Sequence, residues 1–120
     1  MSRRWSLSGV LAALALLLAA PAQAAGPFDD WAAVVVAGDW RGSNGGRTEA
    51  FDNARRDISR QLERMGFRTD NIAQFSTEPQ RFRDPGLLKS EPVKIFDTLQ
   101  ALSSKARTGC LVYFTSHGAP

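Results

Sequence analysis

The chain has 120 residues, with 15 Lys and Arg against 12 Asp and Glu, and it contains one Cys and one His. This length allows one domain at most, and a single cysteine excludes an internal disulfide. Two of the basic residues, Arg3 and Arg4, lie near the N-terminus, which leaves 13 basic against 12 acidic residues in the rest of the chain. Basic and acidic residues are also interleaved instead of forming a stripe of one sign, so we do not expect a nucleic-acid partner.

Residues 1–24 are predicted to be a secretory signal peptide. Arg3 and Arg4 precede an apolar run from Leu7 to Ala20, and Ala22–Ala24 is a small-x-small cleavage pattern. The 14-residue run is shorter than the roughly 20 residues that cross a bilayer. We therefore expect a bacterial periplasmic or secreted protein that starts at Ala25 and keeps no membrane span.

A strand, a glycine-rich loop and a helix are predicted next. Trp31–Ala37 is a continuous apolar run rich in Val, and Gly38–Arg47 is a polar loop with four glycines. A helix with Thr48 as N-cap and Gly66 as C-cap follows, because apolar residues recur at spacings of three and four. These apolar positions are Phe51, Ala54, Ile58, Leu62 and Met65.

The remainder is predicted to continue the alternation of strands and helices. Asn71–Ser76 alternates apolar and polar residues as a strand does, and Thr77–Pro92, with three prolines, is predicted to be a long loop. A helix begins near Ser90 and ends at Thr108–Gly109, and Cys110–Thr115 is predicted to be a buried strand. The apolar positions of this helix are Ile95, Phe96, Leu99 and Leu102. The order strand, helix, strand, helix, strand predicts an α/β fold with a parallel sheet and helices on its faces.

The two segments that could carry chemistry each follow a predicted strand. They are the Gly38–Arg47 loop and Ser116-His117-Gly118, and they face each other if their strands are neighbours, because ligands lie beyond the carboxyl ends of parallel strands. The imidazole of His117 can accept and return a proton, and the amide of Gly118 can stabilise an oxyanion. The alternative is that His117 is a solvated or hydrogen-bonded loop residue.

The glycine loop does not match a phosphate-binding P-loop. That motif needs Gly where this chain has Arg41 and Lys where it has Arg47. Two interpretations remain: a turn with positive φ at Gly45 or Gly46, or a rim that supplies Asn44 and Arg47 to a substrate.

Cys110 is excluded as the partner of His117. The two residues are seven positions apart along one strand, which separates them by about 23 Å at about 3.3 Å per residue. Cys110 is therefore interpreted as a small buried hydrophobe.

With these elements, the sequence resembles the legumain-like cysteine peptidases of the caspase-like clan. The resemblance covers about residues 31–120, and its most specific element is the apolar strand that leads into Ser116-His117-Gly118. It implies a three-layer, caspase-like α/β fold with a mainly parallel sheet. His117 would be the general base, Gly118 would contribute to the oxyanion hole, and Asn44 would correspond to an Asn that orients the histidine.

Two departures from the family pattern limit what the resemblance implies. The basic specificity residue of the family corresponds to Gly46 here, with Arg47 one position later, so a preference for Asn at the cleavage site does not follow. The nucleophilic Cys of the family lies one strand beyond the His, and no such strand is present in the sequence. We therefore expect residues 25–120 to be the amino-terminal part of a peptidase domain, with the nucleophile beyond residue 120.

The expected activity is cysteine-type endopeptidase cleavage of a peptide or protein substrate, with no metal or organic cofactor. Residues 1–120 alone are expected to be inactive without the nucleophile. The alternative from another functional class is a non-catalytic periplasmic module that binds a ligand or partner through the Gly38–Arg47 loop and His117.

Overall fold

The structure, a computed structural model, describes residues 26–118. The predicted signal peptide and its cleavage site lie outside the described residues. The strands and helices are β1 (Ala32–Ala37), α1 (Ala50–Met65), β2 (Ile72–Ser76), β3 (Leu88–Lys89), α2 (Pro92–Lys105) and β4 (Cys110–Thr115). Single-turn 3-10 helices lie at Thr69–Asn71 and Pro79–Arg81.

The strands form one parallel sheet in the order β3-β2-β1-β4, which confirms the predicted parallel α/β fold. β1 is central and all six of its residues are buried. β4 pairs with β1 along its whole length, from Ala32 opposite Cys110 to Ala37 opposite Thr115. Within the described residues, the other side of β4 is an edge of the sheet.

Alternate residues of β1 contribute to two hydrophobic cores, one on each face of the sheet. Val34 and Val36 pack with Leu102 of α2, whereas Val35 packs with Leu62 of α1. The two helices therefore cover opposite faces, and the molecule has three layers. Neither helix has the length and hydrophobicity required to span a bilayer.

The ends of α1 match the prediction at one terminus and differ by one residue at the other. Gly66 has φ 105° and is the C-cap, as predicted, because glycine adopts the left-handed conformation without steric cost. The N-cap is Glu49 and not Thr48. The Thr48 hydroxyl still accepts a hydrogen bond from the amide of Ala50, at 3.2 Å.

The buried side of α1 is more polar than the periodicity indicates. Asp52, Arg55 and Ser59 are buried alongside Leu62, whereas the predicted core residue Met65 is 50% exposed. A buried ion pair between Asp52 and Arg55, with 2.9 Å between Oδ1 and Nε, makes this burial possible.

Two predictions about the second half of the chain were wrong in detail. The predicted loop Thr77–Pro92 contains β3, a two-residue strand that pairs with the end of β2. Phe96, one of the four apolar positions predicted to share a face of α2, is 63% exposed, because the helix packs through Ile95, Leu99 and Leu102.

β4 is not the buried strand that its composition predicted. Val112 and Phe114 are 44% and 60% exposed, and Cys110 is exposed instead of buried. The reason is positional: α2 packs over the β1 and β2 part of this face, and the core cluster there contains no β4 residue within the described chain.

Candidate functional site

The ends of β1 and β4 bring the two predicted functional segments together. The Gly38 amide donates a hydrogen bond to the Thr115 carbonyl at 2.8 Å, which extends the strand pairing by one residue. A Cβ at Gly38 would lie 3.0 Å from the Cβ of Ser116, so glycine permits this close approach. The two strands are neighbours, as the site prediction required.

The glycine loop is a compact turn. Arg41 and Arg47 pair in an antiparallel bridge, and Gly45 lies between them with φ +78°, which confirms one of the two predicted positive-φ positions. The Asn44 side-chain oxygen accepts a hydrogen bond from the Gly46 amide at 3.0 Å. The turn therefore presents fixed backbone groups at the end of the sheet.

The start of the same loop is fixed by Asp39. Its Oδ1 accepts hydrogen bonds from the amides of Trp40, at 2.7 Å, and Arg41, at 3.0 Å. These bonds stabilise the ionised carboxylate and hold the pKa of Asp39 below its ordinary value.

The His117 ring is held at two points. Its Nε2 lies 2.6 Å from the carbonyl oxygen of Arg41, and its plane meets the ring of Phe51 edge to face, with 4.9 Å between the centroids. A carbonyl oxygen can only accept a hydrogen bond, so Nε2 must carry a proton and donate it. In the neutral ring Nδ1 therefore has the free lone pair, which is what a general base requires.

Two open cavities are lined by His117. One has a volume of about 370 Å³ and is lined by Asp39, Arg41 and Gly45 among others. The other, of about 450 Å³, is lined by Asn44, Arg47 and Phe51. His117 lines both cavities, so a molecule bound in either one is next to the imidazole.

Arg47, the predicted substrate-binding residue, is already paired within the protein. Its guanidinium forms an ion pair with Glu78 and lies over the ring of Trp40, 4.8 Å from the centroid. The Arg47 and Glu78 side chains are 45% and 19% exposed. Arg47 therefore lines the larger cavity without presenting an uncompensated charge.

Neither Glu78 nor the role of Trp40 is predicted from the sequence. Glu78 lies in the predicted loop Thr77–Pro92, where no periodicity marks a residue. The available signal was its position two residues after β2, since loops that follow parallel strands converge at one edge of the sheet.

The remaining predicted site residues are placed less closely. Asn44 shares a cavity with His117, but the hydrogen-bond partner of the ring is the carbonyl of Arg41 and not the Asn44 side chain. Gly118 is exposed, and a Cβ there would meet no atom within 4 Å. Cys110 lies at the opposite end of β4 from His117, which agrees with its exclusion as the nucleophile. Residues 26–118 contain no cluster of His, Cys, Asp or Glu suited to a metal ion.

Comparisons of the chain with protein-family models, with curated proteins and with solved structures found no match. The resemblance to legumain-like peptidases therefore remains a prediction that rests on the residues of this chain.

Proposed function

We propose that this chain supplies the general-base histidine of a cysteine-type endopeptidase of the legumain-like kind. The supporting observation is the hydrogen bond between His117 Nε2 and the Arg41 carbonyl, which leaves Nδ1 as the proton acceptor. This nitrogen belongs to an exposed side chain that lines two cavities, where a substrate would have access to it.

In this proposal Nδ1 of His117 takes the proton of a cysteine thiol, and the thiolate attacks the carbonyl carbon of the peptide bond. The amide of Gly118 donates a hydrogen bond to the oxyanion that forms. The imidazolium keeps its Nε2 bond to Arg41 and passes the Nδ1 proton to the departing amine. Water, deprotonated by the same nitrogen, then hydrolyses the thioester and regenerates the thiol.

The thiol in this reaction must come from outside the described residues. Cys110 is the single cysteine in the 120-residue sequence, and about 23 Å separates it from His117 along β4. Proton transfer requires hydrogen-bond contact, so Cys110 cannot serve.

The Arg47–Glu78 pair affects which substrate side chains the larger cavity favours. A free guanidinium in the larger cavity would favour acidic side chains, but the carboxylate of Glu78 compensates it. We therefore expect no strong preference for Asp or Glu at the position that occupies this cavity.

The test uses the full natural chain that contains residues 1–120 and a library of fluorogenic peptides. We expect hydrolysis that iodoacetamide abolishes and that Cys110→Ser retains. Hydrolysis insensitive to alkylation, or lost in Cys110→Ser, would contradict the proposal.

A second candidate is a non-catalytic module that binds a ligand or partner at the same cavities. The distance between His117 and Cys110 favours it, because the described residues hold no thiol beside the imidazole. Absence of hydrolysis by the full natural chain, together with a ligand whose binding His117→Ala weakens, would support this candidate.

A further inference from the structure

Glu78 is held firmly at the carboxyl end of β2. Its backbone amide donates a hydrogen bond to the Ser76 hydroxyl at 3.2 Å, and that hydroxyl donates to Asp52 Oδ2 at 3.0 Å. Ser76 and Asp52 are both buried. The backbone that carries the Glu78 side chain is therefore anchored to buried residues.

Glu78 is connected to the glycine loop through Arg47. We use the name Glu78–Arg47–Trp40 cluster for the carboxylate, the guanidinium paired with it, and the indole ring beneath that guanidinium. Arg47 also pairs with Arg41 across the loop turn. The cluster therefore contacts both sides of the turn, through Arg47 on one side and through Trp40, next to Arg41, on the other, and the bridge joins the two sides.

Arg41, on the side of the turn opposite Arg47, binds the imidazole. The carbonyl oxygen of Arg41 accepts the Nε2 proton of His117, at 2.6 Å. Three successive contacts thus connect the end of β2 to the histidine that follows β4. Any movement of the turn would displace the acceptor that determines which ring nitrogen is protonated.

We propose that Glu78 is a positioning residue for His117, acting through Arg47 to keep the Arg41 carbonyl in place and so to hold the imidazole as the Nε2-protonated tautomer. Its effect on the tautomer is a property of the fold alone. Its importance for catalysis rests on the function proposed above.

The ionisation of Glu78 is consistent with this role. Hydrogen bonding to Arg47, with a smaller contribution from the charge of Arg81, holds the pKa of Glu78 below its ordinary value. A lowered pKa means that the pair is intact at neutral pH and is lost only as the pH falls through that lowered value. Arg81 is paired with Glu78, at 3.4 Å, and with Glu49, at 3.6 Å.

The tautomer can be measured by ¹⁵N NMR of the chain labelled at histidine, since it contains a single His. We expect the wild-type spectrum of the neutral ring to show Nε2 protonated and Nδ1 unprotonated. In Glu78→Gln the ratio of the Nε2–H to the Nδ1–H tautomer should fall about two- to tenfold, the range for loss of one neutral hydrogen bond.

Three further variants make the result specific. Arg47→Ala removes the other member of the ion pair from an exposed loop and should give the same change, so the test remains decisive if Glu78→Gln does not fold. Arg81→Gln removes the other cationic partner of Glu78 but leaves the Arg47 pair intact, and it should leave the tautomer unchanged. Asp70→Asn, which removes an exposed carboxylate paired with Arg68 at the opposite end of β2, should also have no effect.

A folded Glu78→Gln or Arg47→Ala chain with the wild-type tautomer ratio would overturn the proposal. So would an equal change in Asp70→Asn. If the full natural chain hydrolyses peptides, Glu78→Gln should lower kcat more than it changes KM. If it does not, the proposed function fails while the NMR result still decides the role of Glu78.

Discussion

Replacing Asp52 with Asn removes the carboxylate that compensates a fully buried guanidinium. Arg55 is 2% exposed, and its Nε lies 2.9 Å from Asp52 Oδ1 while a terminal nitrogen lies 2.5 Å from the Gln74 side-chain oxygen. Asn can still accept the hydrogen bond from Nε, but among residues 26–118 the positive charge in the interior then has no counter-charge in contact.

The size of the effect follows from this burial. Removing one partner of a buried ion pair lowers the free energy of unfolding by about 3–5 kcal/mol. At about 0.05–0.15 kcal/mol per residue, the 93 described residues give a total of about 5–14 kcal/mol. The substitution should therefore remove a large fraction of the stability.

Equilibrium urea unfolding followed by tryptophan fluorescence measures this change. The matched control is Asp57→Asn on the same helix, where Asp57 and Arg60 are 3.7 Å apart and both largely exposed, so the loss should be below about 1 kcal/mol. The double variant Asp52→Leu/Arg55→Met, which replaces the pair with apolar side chains, should recover only part of the loss, because the Ser76 hydroxyl and the Gln74 side chain lose their partners. A loss below about 1 kcal/mol in Asp52→Asn would show that the buried Arg55 guanidinium does not depend on the charge of Asp52.

Three other predictions follow from packing and exposure. Gly109→Ala should lower the melting temperature in thermal circular dichroism, because the new Cβ would lie 2.8 Å from the Trp31 indole; an unchanged midpoint would contradict the contact. Residues 25–120 should self-associate through the uncharged edge of β4, and Val112→Lys should shift sedimentation toward the monomer, whereas equal association in both chains would exclude this edge. Cys110 should react with a maleimide in the folded chain as fast as in urea, since it is exposed; protection would contradict that exposure.

Much of the fold could be predicted from the sequence because the strongest signals are local. The apolar run of β1, the spacing along α1 and the glycine at its C-terminus each depend on neighbouring residues alone. The pairing of β1 with β4 joins segments that are far apart in the sequence, and local patterns do not predict it. The site prediction was conditional on these two strands being neighbours, and they are. The parallel sheet then placed His117 beside the glycine loop.

The remaining features depend on contacts between distant segments. The burial of Arg55 requires Gln74, which is 19 residues away, and the pairing of Arg47 requires Glu78, which is 31 residues away. No periodicity marks such partners. Cys110 and Phe114 have the composition of a core strand, but their exposure follows from the position of β4 at the edge of the described sheet.

The central claim is that His117 is a general base, and the most direct test is the hydrolysis rate of His117→Ala in the full natural chain. We expect kcat/KM for a peptide substrate to fall about 10²–10⁴-fold with an unchanged melting temperature, because the side chain is exposed. Ser116→Ala, at the neighbouring exposed position, should retain activity, and Asn44→Ala should lose less than His117→Ala. Full activity in a folded His117→Ala chain, or an equal loss in Ser116→Ala, would contradict the assignment.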